Sequence, residues 1–289
     1  MTAAEFEKVA ATWRPEPAQV SGAVERGTTD KLAALLDVPA PGEGGELPPL
    51  WHEVLLRDAV GIERIGADGH PKGGALLPPL ADRRRMFGGG TVEVVAPLRV
   101  GDRVARRSRV ADVRVREGRS GVLLLVTEEH VWSVAGEDRI RERRDIVYRR
   151  AADIGPPAAT TGSAVSAVSP VTPSAAHVPD ERYLFAYSAL TYNLHRIHYD
   201  APYAREVEHH PGLVVHGPLL ALWCAEHARR RLGAAPAHLT YRLTSTAYAG
   251  QEVTVGSAGR EDGALAIESW SQGRCCVRMT VRDAAPAAG

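Results

Sequence analysis

The C-terminal third of the chain has the clearest hydrophobic pattern. Apolar residues recur at helical spacing from Leu219 to Leu232, directly after His216 and Gly217. Proline suits the first helical position and glycine the cap, so a helix is predicted to begin at Pro218. Because this helix is apolar on most faces, it should be buried. Four segments predict strands of a curved antiparallel sheet around it, near 237–248, 251–258, 264–272 and 274–282.

The N-terminal half shows a weaker version of the same pattern. Helices are predicted at Thr29–Leu36 and Leu50–Asp58. Strands are predicted near 91–99, 102–116, 121–134 and 140–149. Residues 151–180 are rich in Ala, Ser, Thr and Pro and show no sustained period, which indicates a linker or a strap across the surface. The pattern therefore predicts an α+β protein with an N-terminal half (1–150), a linker (151–180) and a C-terminal half (181–289).

A weak internal repeat links the two halves. The stretch that begins at Thr91 and the stretch that begins at Thr240 both read as a strand, a short connection, a Gly turn and a second strand. Only the Thr, the Gly and a final Val are identical, so chance remains an alternative. Two similar modules are the simplest interpretation.

Composition narrows the function and the compartment. The formal net charge is zero, so no overall basic field exists to bind nucleic acid or an anionic membrane. No stretch approaches the roughly 18 apolar residues of a membrane span, and the first residues lack the apolar core of a signal peptide. Three cysteines, two of them adjacent, do not suggest a disulfide framework. We expect a cytoplasmic protein.

Histidines and one glycine are the first candidates for chemistry. His195, His198 and His216 fall in or near one patch, and imidazole exchanges protons near neutral pH. His195 and His198 are spaced to share a helical face, which keeps a metal site as an alternative. No Asp or Glu completes a known ligand spacing, so no metal is expected. Gly217 stands at the predicted start of a buried helix, where the backbone N–H groups have no acceptor within the helix. Such groups stabilise a thioester oxygen that becomes an enolate. The alternative is that Gly217 marks an ordinary helix start.

Two segments carry a family resemblance. Tyr187-Ser-Ala-Leu-Thr-Tyr-Asn-Leu-His-Arg-Ile-His-Tyr-Asp200 and Gly212-Leu-Val-Val-His-Gly-Pro-Leu219 resemble the motifs of MaoC-like, hotdog-fold enoyl-thioester hydratases. N-terminal segments such as Leu47-Pro-Pro-Leu-Trp-His52 and Asp68-Gly-His-Pro71 are similar to one branch, the type 2 hydroxyacyl-thioester dehydratases with mesaconyl-CoA and itaconyl-CoA hydratases. The resemblance implies a double hotdog fold. It also implies that the C-terminal hotdog is catalytic and that the N-terminal hotdog shapes a substrate tunnel without catalysing.

The resemblance also assigns roles to residues. It places His198 at the catalytic His, and Gly217 at the backbone N–H that holds the thioester oxygen. Asn193 stands where the broader family pattern has a catalytic Asp, and an amide exchanges no proton at neutral pH. Proton transfer should therefore depend mainly on His198. The implied reaction is the reversible hydration of an enoyl thioester on coenzyme A or acyl carrier protein, with no other cofactor.

Other residues are expected to bind the substrate. Arg84 and Arg85 precede the segment 86–90, and guanidinium groups pair well with phosphate or carboxylate. The alternative for both is ordinary surface charge. Arg196 is a candidate for a substrate carboxylate, with a structural salt bridge as the alternative. Tyr192 and His216 lie within the motif segments and are expected to contact the substrate.

Several questions remain open from the sequence. Asp200 and His52 are weaker catalytic candidates, with a cap or turn and simple packing as their respective alternatives. Asp200 also keeps a thioesterase possible, because such an enzyme needs a carboxylate to activate water. Asn193 permits a non-catalytic acyl-CoA-binding subunit. The acyl group (mesaconyl, itaconyl or an ordinary 3-hydroxyacyl chain) is undetermined, and so is the choice between a monomer of two hotdogs and a homodimer.

Overall fold

A computed structural model describes residues 3–81, 83–118, 121–150, 172–261 and 263–282. Its helices are α1 (Ala3–Thr12), α2 (Arg26–Leu36), α3 (Glu181–Thr191), α4 (Ala201–Glu206) and α5 (Gly217–Leu232). Its strands are β1 (Ala18–Ala23), β2 (Arg83–Val94), β3 (Arg103–Gly118), β4 (Gly121–Val134), β5 (Glu137–Arg150), β6 (Thr172–His177), β7 (His238–Leu243), β8 (Val253–Glu261), β9 (Ala264–Ser271) and β10 (Arg274–Arg282). These strands form one sheet in the order β1-β3-β4-β5-β2-β7-β10-β9-β8-β6.

The two halves of the sheet join at β2 and β7, which we call the seam. Thr91 pairs with Thr240 across the seam, and the strand order on one side mirrors the order on the other. These are the two threonines at which the sequence repeat begins. Helices α2 and α3, both of 11 residues, follow the edge strands β1 and β6, and both end at a left-handed residue. The prediction of two similar modules is therefore confirmed.

The C-terminal half is filled by a helix. Helix α5 packs against all four strands β7–β10, and its leucines and Trp223 are buried. It begins at Gly217 with His216 as the N-cap, so the predicted start at Pro218 is one residue late. The reason is local: His216 still has extended backbone (φ −60°, ψ 129°), whereas Gly217 is already helical. Gly233 ends the helix in the left-handed conformation, as predicted.

The N-terminal half lacks an equivalent of α5 in its described residues. The predicted helix at Leu50–Asp58 is wrong, because only the short 3₁₀ turn Trp51–Val54 forms there. Leu50 (φ 69°) and Leu56 (φ 47°) have left-handed backbone on either side of this turn, which interrupts an α-helix. The predicted helix at Thr29–Leu36 is confirmed within α2. The concave face of this half is therefore only partly covered.

Two further segments complete the fold. Helix α1, which the sequence pattern did not predict, packs Phe6 and Val9 against Leu124, Ile146 and Tyr148 of the N-terminal half. Residues 151–171 of the predicted linker lie outside the described residues. The rest of the predicted linker includes β6, which pairs with β8, so the C-terminal half begins by Thr172 rather than at 181. Among the described residues, no helix combines the length and the hydropathy needed to span a membrane.

Candidate active site

His198 is buried in a 3₁₀ turn, Arg196–His198, that follows α3. Its Nδ1 lies 2.7 Å from the Val214 carbonyl oxygen, so this nitrogen donates a hydrogen bond and Nε2 is left as an acceptor. Burial, followed by the charges of His216 and His195, lowers the pKa of His198 well below its usual value. The imidazole is therefore neutral at pH 7, which is the form that accepts a proton.

His216 stacks on His198 at the start of α5. The two ring centroids are 3.6 Å apart with planes inclined by 17°. The Ser188 hydroxyl lies 2.9 Å from His216 Nε2 and fixes the ring. Burial and then the nearby His195 lower the pKa of His216 to about 3. His216 is thus a neutral ring that packs against the candidate base. Its contact with the substrate stays a prediction.

Asn193 has a fixed orientation beside this pair of rings. Its Oδ1 accepts a hydrogen bond from the backbone N–H of His195 at 3.0 Å. One lone pair of the side-chain oxygen is therefore engaged, and the amide NH₂ keeps both of its donors for a ligand. Asn193 lines the main cavity of the protein. It is placed to donate a hydrogen bond there, and it is not a proton acceptor.

Gly217 places the N-terminus of α5 against the other half. The first N–H groups of a helix have no acceptor within the helix, and the helix dipole makes this end positive. A Cβ on Gly217 would lie 2.2 Å from Leu243 Cδ2 and 3.7 Å from Phe87 Cδ1. Phe87 belongs to β2 of the N-terminal half. The position therefore suits glycine, and the candidate oxyanion site lies close to the seam.

A cavity of about 790 Å³ lies against the inner face of the N-terminal sheet. Residues of both halves line it, including Asn193 and Tyr192 from the C-terminal half; His198 and Gly217 are not among the lining residues. Its inner wall is formed by inward-facing polar side chains of the N-terminal sheet, which we call the polar belt: Arg85, Arg106, Ser108, Glu128, His130 and Arg144.

Ion pairs stabilise the polar belt from behind. Arg144 lies 2.8 Å from Glu53 and 2.7 Å from Glu142, and His52 lies 3.4 Å from Glu142. His52, Glu53 and Glu142 are close enough together to suggest a metal site among the described residues. Arg144 already pairs with both carboxylates, so an ionic network accounts for the group. His52 also packs edge-on against Trp132, with the ring centroids 5.3 Å apart, which agrees with the packing alternative for His52.

The two candidate arginines of β2 both reach the cavity wall. Arg84 pairs with Glu208 and donates to the Tyr203 hydroxyl at 3.0 Å, so its charge is already compensated. Arg85 has no carboxylate within ion-pair distance in the part of the chain that the structure describes. The nearby Glu128 and Tyr148 nevertheless raise its pKa against the effect of burial. Arg85 is therefore one cavity-lining cation with charge to offer an incoming anion.

Arg196 and Tyr192 have structural partners. Arg196 forms a salt bridge with Asp200 at 2.7 Å and stacks over Tyr203, away from the cavity wall. The salt-bridge alternative is thus the one seen, and Asp200 also caps α4. Tyr192 lines the cavity and donates its hydroxyl to the Val60 carbonyl at 3.1 Å. The expected roles of both residues in binding substrate stay predictions.

The sequence did contain a signal for the polar belt. Along β5 the inward positions alternate with outward ones and read Ile140, Glu142, Arg144, Ile146 and Tyr148. Charged residues in phase with buried isoleucines indicate either an ionic network or a ligand. The sequence predicts a non-catalytic substrate tunnel in the N-terminal half, because no histidine motif marks that half.

Comparison with known proteins agrees with this arrangement. The family model of hydroxyacyl-thioester dehydratase type 2 matches residues 50–249. Mesaconyl-C(4)-CoA hydratase of Chloroflexus aurantiacus is 40% identical over 206 residues, which cover 68% of this chain and 70% of that protein. The mitochondrial hydroxyacyl-thioester dehydratase type 2 of Schizosaccharomyces pombe is 36% identical over 75 residues, 25% of each chain.

Solved structures show the same fold. HtdX of Mycobacterium tuberculosis superposes with a TM-score of 0.68 at 17% identity, covering 93% of this chain and all of that one (100%). A MaoC-like dehydratase from Phytophthora capsici gives a TM-score of 0.67 at 13% identity, covering 96% of this chain and 99% of that one. The expected α+β double hotdog fold of MaoC-like dehydratases is confirmed.

Proposed function

The chain belongs to the hydroxyacyl-thioester dehydratase type 2 family and is a hydro-lyase, and we propose that His198 is its acid–base catalyst. The observation that carries this proposal is the hydrogen bonding and protonation of the His198 imidazole. Its Nδ1 is tied to the Val214 carbonyl, its Nε2 is an unoccupied acceptor in the described structure, and its pKa keeps it neutral. This is the form needed to remove a proton from water.

The proposed mechanism adds water across the double bond of an enoyl thioester. His198 Nε2 takes a proton from water while the water oxygen bonds to the β-carbon. The π electrons move to the thioester carbonyl, and the enolate oxygen is held by the Gly217 N–H at the positive end of α5. The α-carbon then takes the proton back from His198. Asn193 donates a hydrogen bond through its NH₂, and these groups require no further cofactor.

We propose that the acyl group carries a carboxylate, as mesaconyl-CoA does. The relative from Chloroflexus is named for that substrate, and the cavity of this chain has the matching chemistry. A long alkyl chain in the cavity would leave the buried guanidinium of Arg85 without a carboxylate at ion-pair distance, which is unfavourable. A carboxylate would form charge-assisted hydrogen bonds with it. A C5 dicarboxylic enoyl-CoA is therefore the proposed substrate class.

The single chain supplies all the parts that the proposed site needs. The seam already pairs the two sheets, so we propose the monomer of two hotdogs as the functional unit. Cys224, Cys275 and Cys276 are free thiols in the structure, which fits a reducing cytoplasm as the proposed location.

A panel of CoA thioesters tests the proposal. Purified protein would be given crotonyl-CoA, a long-chain enoyl-CoA and mesaconyl-CoA, with enoyl absorbance and free thiol recorded together. We expect the absorbance to fall without thiol release, fastest with the dicarboxylic substrate. Thiol release would instead indicate a thioesterase. Binding of every substrate without turnover would indicate an acyl-CoA-binding subunit and would overturn the proposal.

A further inference from the structure

A loop of the N-terminal half is docked on the catalytic segment of the other half. The backbone N–H of Arg196 donates to the Asp68 carbonyl at 3.0 Å, and Arg196 Nη1 donates to the Ala67 carbonyl at 3.0 Å. Gly69, with φ +91°, lies so close that a Cβ there would be 1.7 Å from the Leu194 carbonyl oxygen. This contact requires glycine, and it fixes the loop beside Asn193 and His198.

The loop presents one imidazole to the cavity in a defined orientation. The Asp68 carboxylate accepts the backbone N–H of His70 at 3.0 Å, and it lies 3.1 Å from His70 Nδ1. Nδ1 therefore carries the ring hydrogen, and Nε2 is an acceptor. Within the described residues no protein group occupies Nε2, and His70 lines the cavity.

His70 belongs to the same cluster of rings as His198. Its ring centroid is 4.1 Å from that of His195, and His195 is 5.6 Å from His198. Burial lowers the pKa of His70 to about 4, even though Asp68 favours the charged form. Burial opposes ionisation of Asp68, but its bonds to His70 outweigh this and lower the Asp68 pKa to about 2. At pH 7 the pair is a carboxylate and a neutral imidazole.

A second acceptor would orient the attacking water, and the Asn193 oxygen is already partly engaged by the backbone. An attacking water has two hydrogens, and its lone pair is aimed best when both are held by acceptors. His198 Nε2 holds the hydrogen that is transferred. One of the two lone pairs of the Asn193 oxygen is already bonded to the His195 N–H, and the NH₂ group offers only donors. On the cavity wall near Asn193, His70 Nε2 is an acceptor already held by its own carboxylate.

We propose that His70 is a catalytic residue supplied by the N-terminal half, and that Asp68 is its positioning residue. His70 Nε2 accepts a hydrogen bond from the reacting water, or from the β-hydroxyl in the reverse direction, and no proton is transferred to it. The proton of the breaking O–H bond goes to His198, as in the proposed function on which this inference rests. The carboxylate expected at position 193 is thus replaced from the other half.

Three variants test this role. His70→Leu removes the acceptor and should lower kcat about 100-fold while the KM changes little. His70→Gln keeps a side-chain oxygen as acceptor and should recover part of that loss. Asp68→Asn places an amide donor beside Nδ1, which moves the ring hydrogen to Nε2 and turns the acceptor into a donor. Its kcat should therefore fall about as far as in His70→Leu, and the double variant should fall no further.

The outcomes separate this inference from the proposed function. His238→Leu, which replaces an exposed histidine on β7, is the matched control and should keep wild-type kcat. If His70→Leu keeps the wild-type kcat, or changes only the KM, His70 merely lines the cavity. That result would overturn the inference but would leave the proposed hydration reaction unaffected. If His70→Leu fails to fold, Asp68→Asn still decides, because near-wild-type kcat there contradicts the role. A wild-type protein inactive on every enoyl-CoA would refute the proposed function itself.

Discussion

The two halves share a strand order but use the concave face of the sheet in different ways. In the C-terminal half α5 covers that face, and its buried positions are leucine, alanine and tryptophan together with Cys224 and Glu226. In the N-terminal half a 3₁₀ turn of four residues stands in the helix's place, and a cavity of about 790 Å³ remains. The C-terminal sheet therefore borders a hydrophobic core, whereas the N-terminal sheet borders a cavity, the chamber, that is lined by charged and polar side chains.

Buried histidines of the two halves also differ in the groups that surround them. His198 and His216 stack on each other at 3.6 Å and have their pKa values lowered by burial. In the N-terminal half His52 and His130 each lie 3.4 Å from a carboxylate, Glu142 and Glu128. Burial thus keeps the stacked pair of the C-terminal half neutral, whereas His52 and His130 each contact a buried carboxylate of the N-terminal sheet.

The largest expected effect tests whether the C-terminal half holds the base. His198→Ala should lower kcat about 1000-fold, because general acid–base catalysis typically contributes about 10²–10⁴. The rate would be measured by enoyl absorbance, with thermal melting to verify the fold. His238→Ala on the surface of β7 is the control. A His198→Ala enzyme with substantial turnover would show that the N-terminal half carries the base.

The next effect tests whether the N-terminal chamber binds the acyl end. Arg85→Met should raise the KM for a dicarboxylic enoyl-CoA about 10- to 100-fold, since a hydrogen bond to a charged group contributes about 1.5–3 kcal/mol. The KM for crotonyl-CoA should not change. Arg107→Met, at an exposed position of β3, is the matched control. An equal loss with both substrates would place Arg85 at the CoA rather than at the acyl end.

A smaller effect concerns the contact between the halves at the start of α5. Gly217→Ala should lower the free energy of unfolding by about 1–3 kcal/mol, because the new methyl group overpacks against Leu243. Gly212→Ala is the control, since a Cβ there meets no atom within 4 Å. Urea denaturation would measure both variants. Identical stabilities would mean that the helix start is less tightly packed against the seam than described.

The smallest effect follows from the neutral histidines of the C-terminal half. An unfolded chain binds a proton at His216 near pH 6.5, whereas the folded protein leaves it neutral down to about pH 3. The unfolded state therefore binds more protons, and this residue alone should lower stability by about 0.7 kcal/mol between pH 7 and 6. His216→Gln should remove that part of the pH dependence, and His238→Gln should not. Parallel curves for all three proteins would contradict the neutral state of His216.

The sequence predicted the C-terminal half well because its signals are local. Helix α5 has a continuous apolar face, a proline in its first turn and a glycine at its end, and each acts within a few residues. The helix prediction at 50–58 failed for a backbone reason. Leu50 and Leu56 adopt positive φ values, which a leucine in the sequence does not indicate. Helix α1 was missed because Phe6 and Val9 gain their burial from strands far away in the chain.

The sequence predicts candidate site residues where a motif contains them, but not where only tertiary packing brings residues together. His198, Asn193 and Gly217 were identified from adjacent sequence, and the structure gives each a distinct hydrogen-bonding capacity. His70 appeared only within a similar segment, because its role depends on the contact between Gly69 and Leu194. The polar belt likewise depends on strand register, which sets which of the many arginines face inward.

The seam has a consequence for how such an enzyme can change. Were the two halves identical chains related by the axis near Thr91 and Thr240, every substitution would appear on both sides at once. A helix shortened to open the chamber would then also be lost beneath the catalytic histidine. Joined in one polypeptide, each copy of the fold accepts its own substitutions. The covalent link thereby frees one copy to hold the substrate while the other keeps the rigid support for its chemistry.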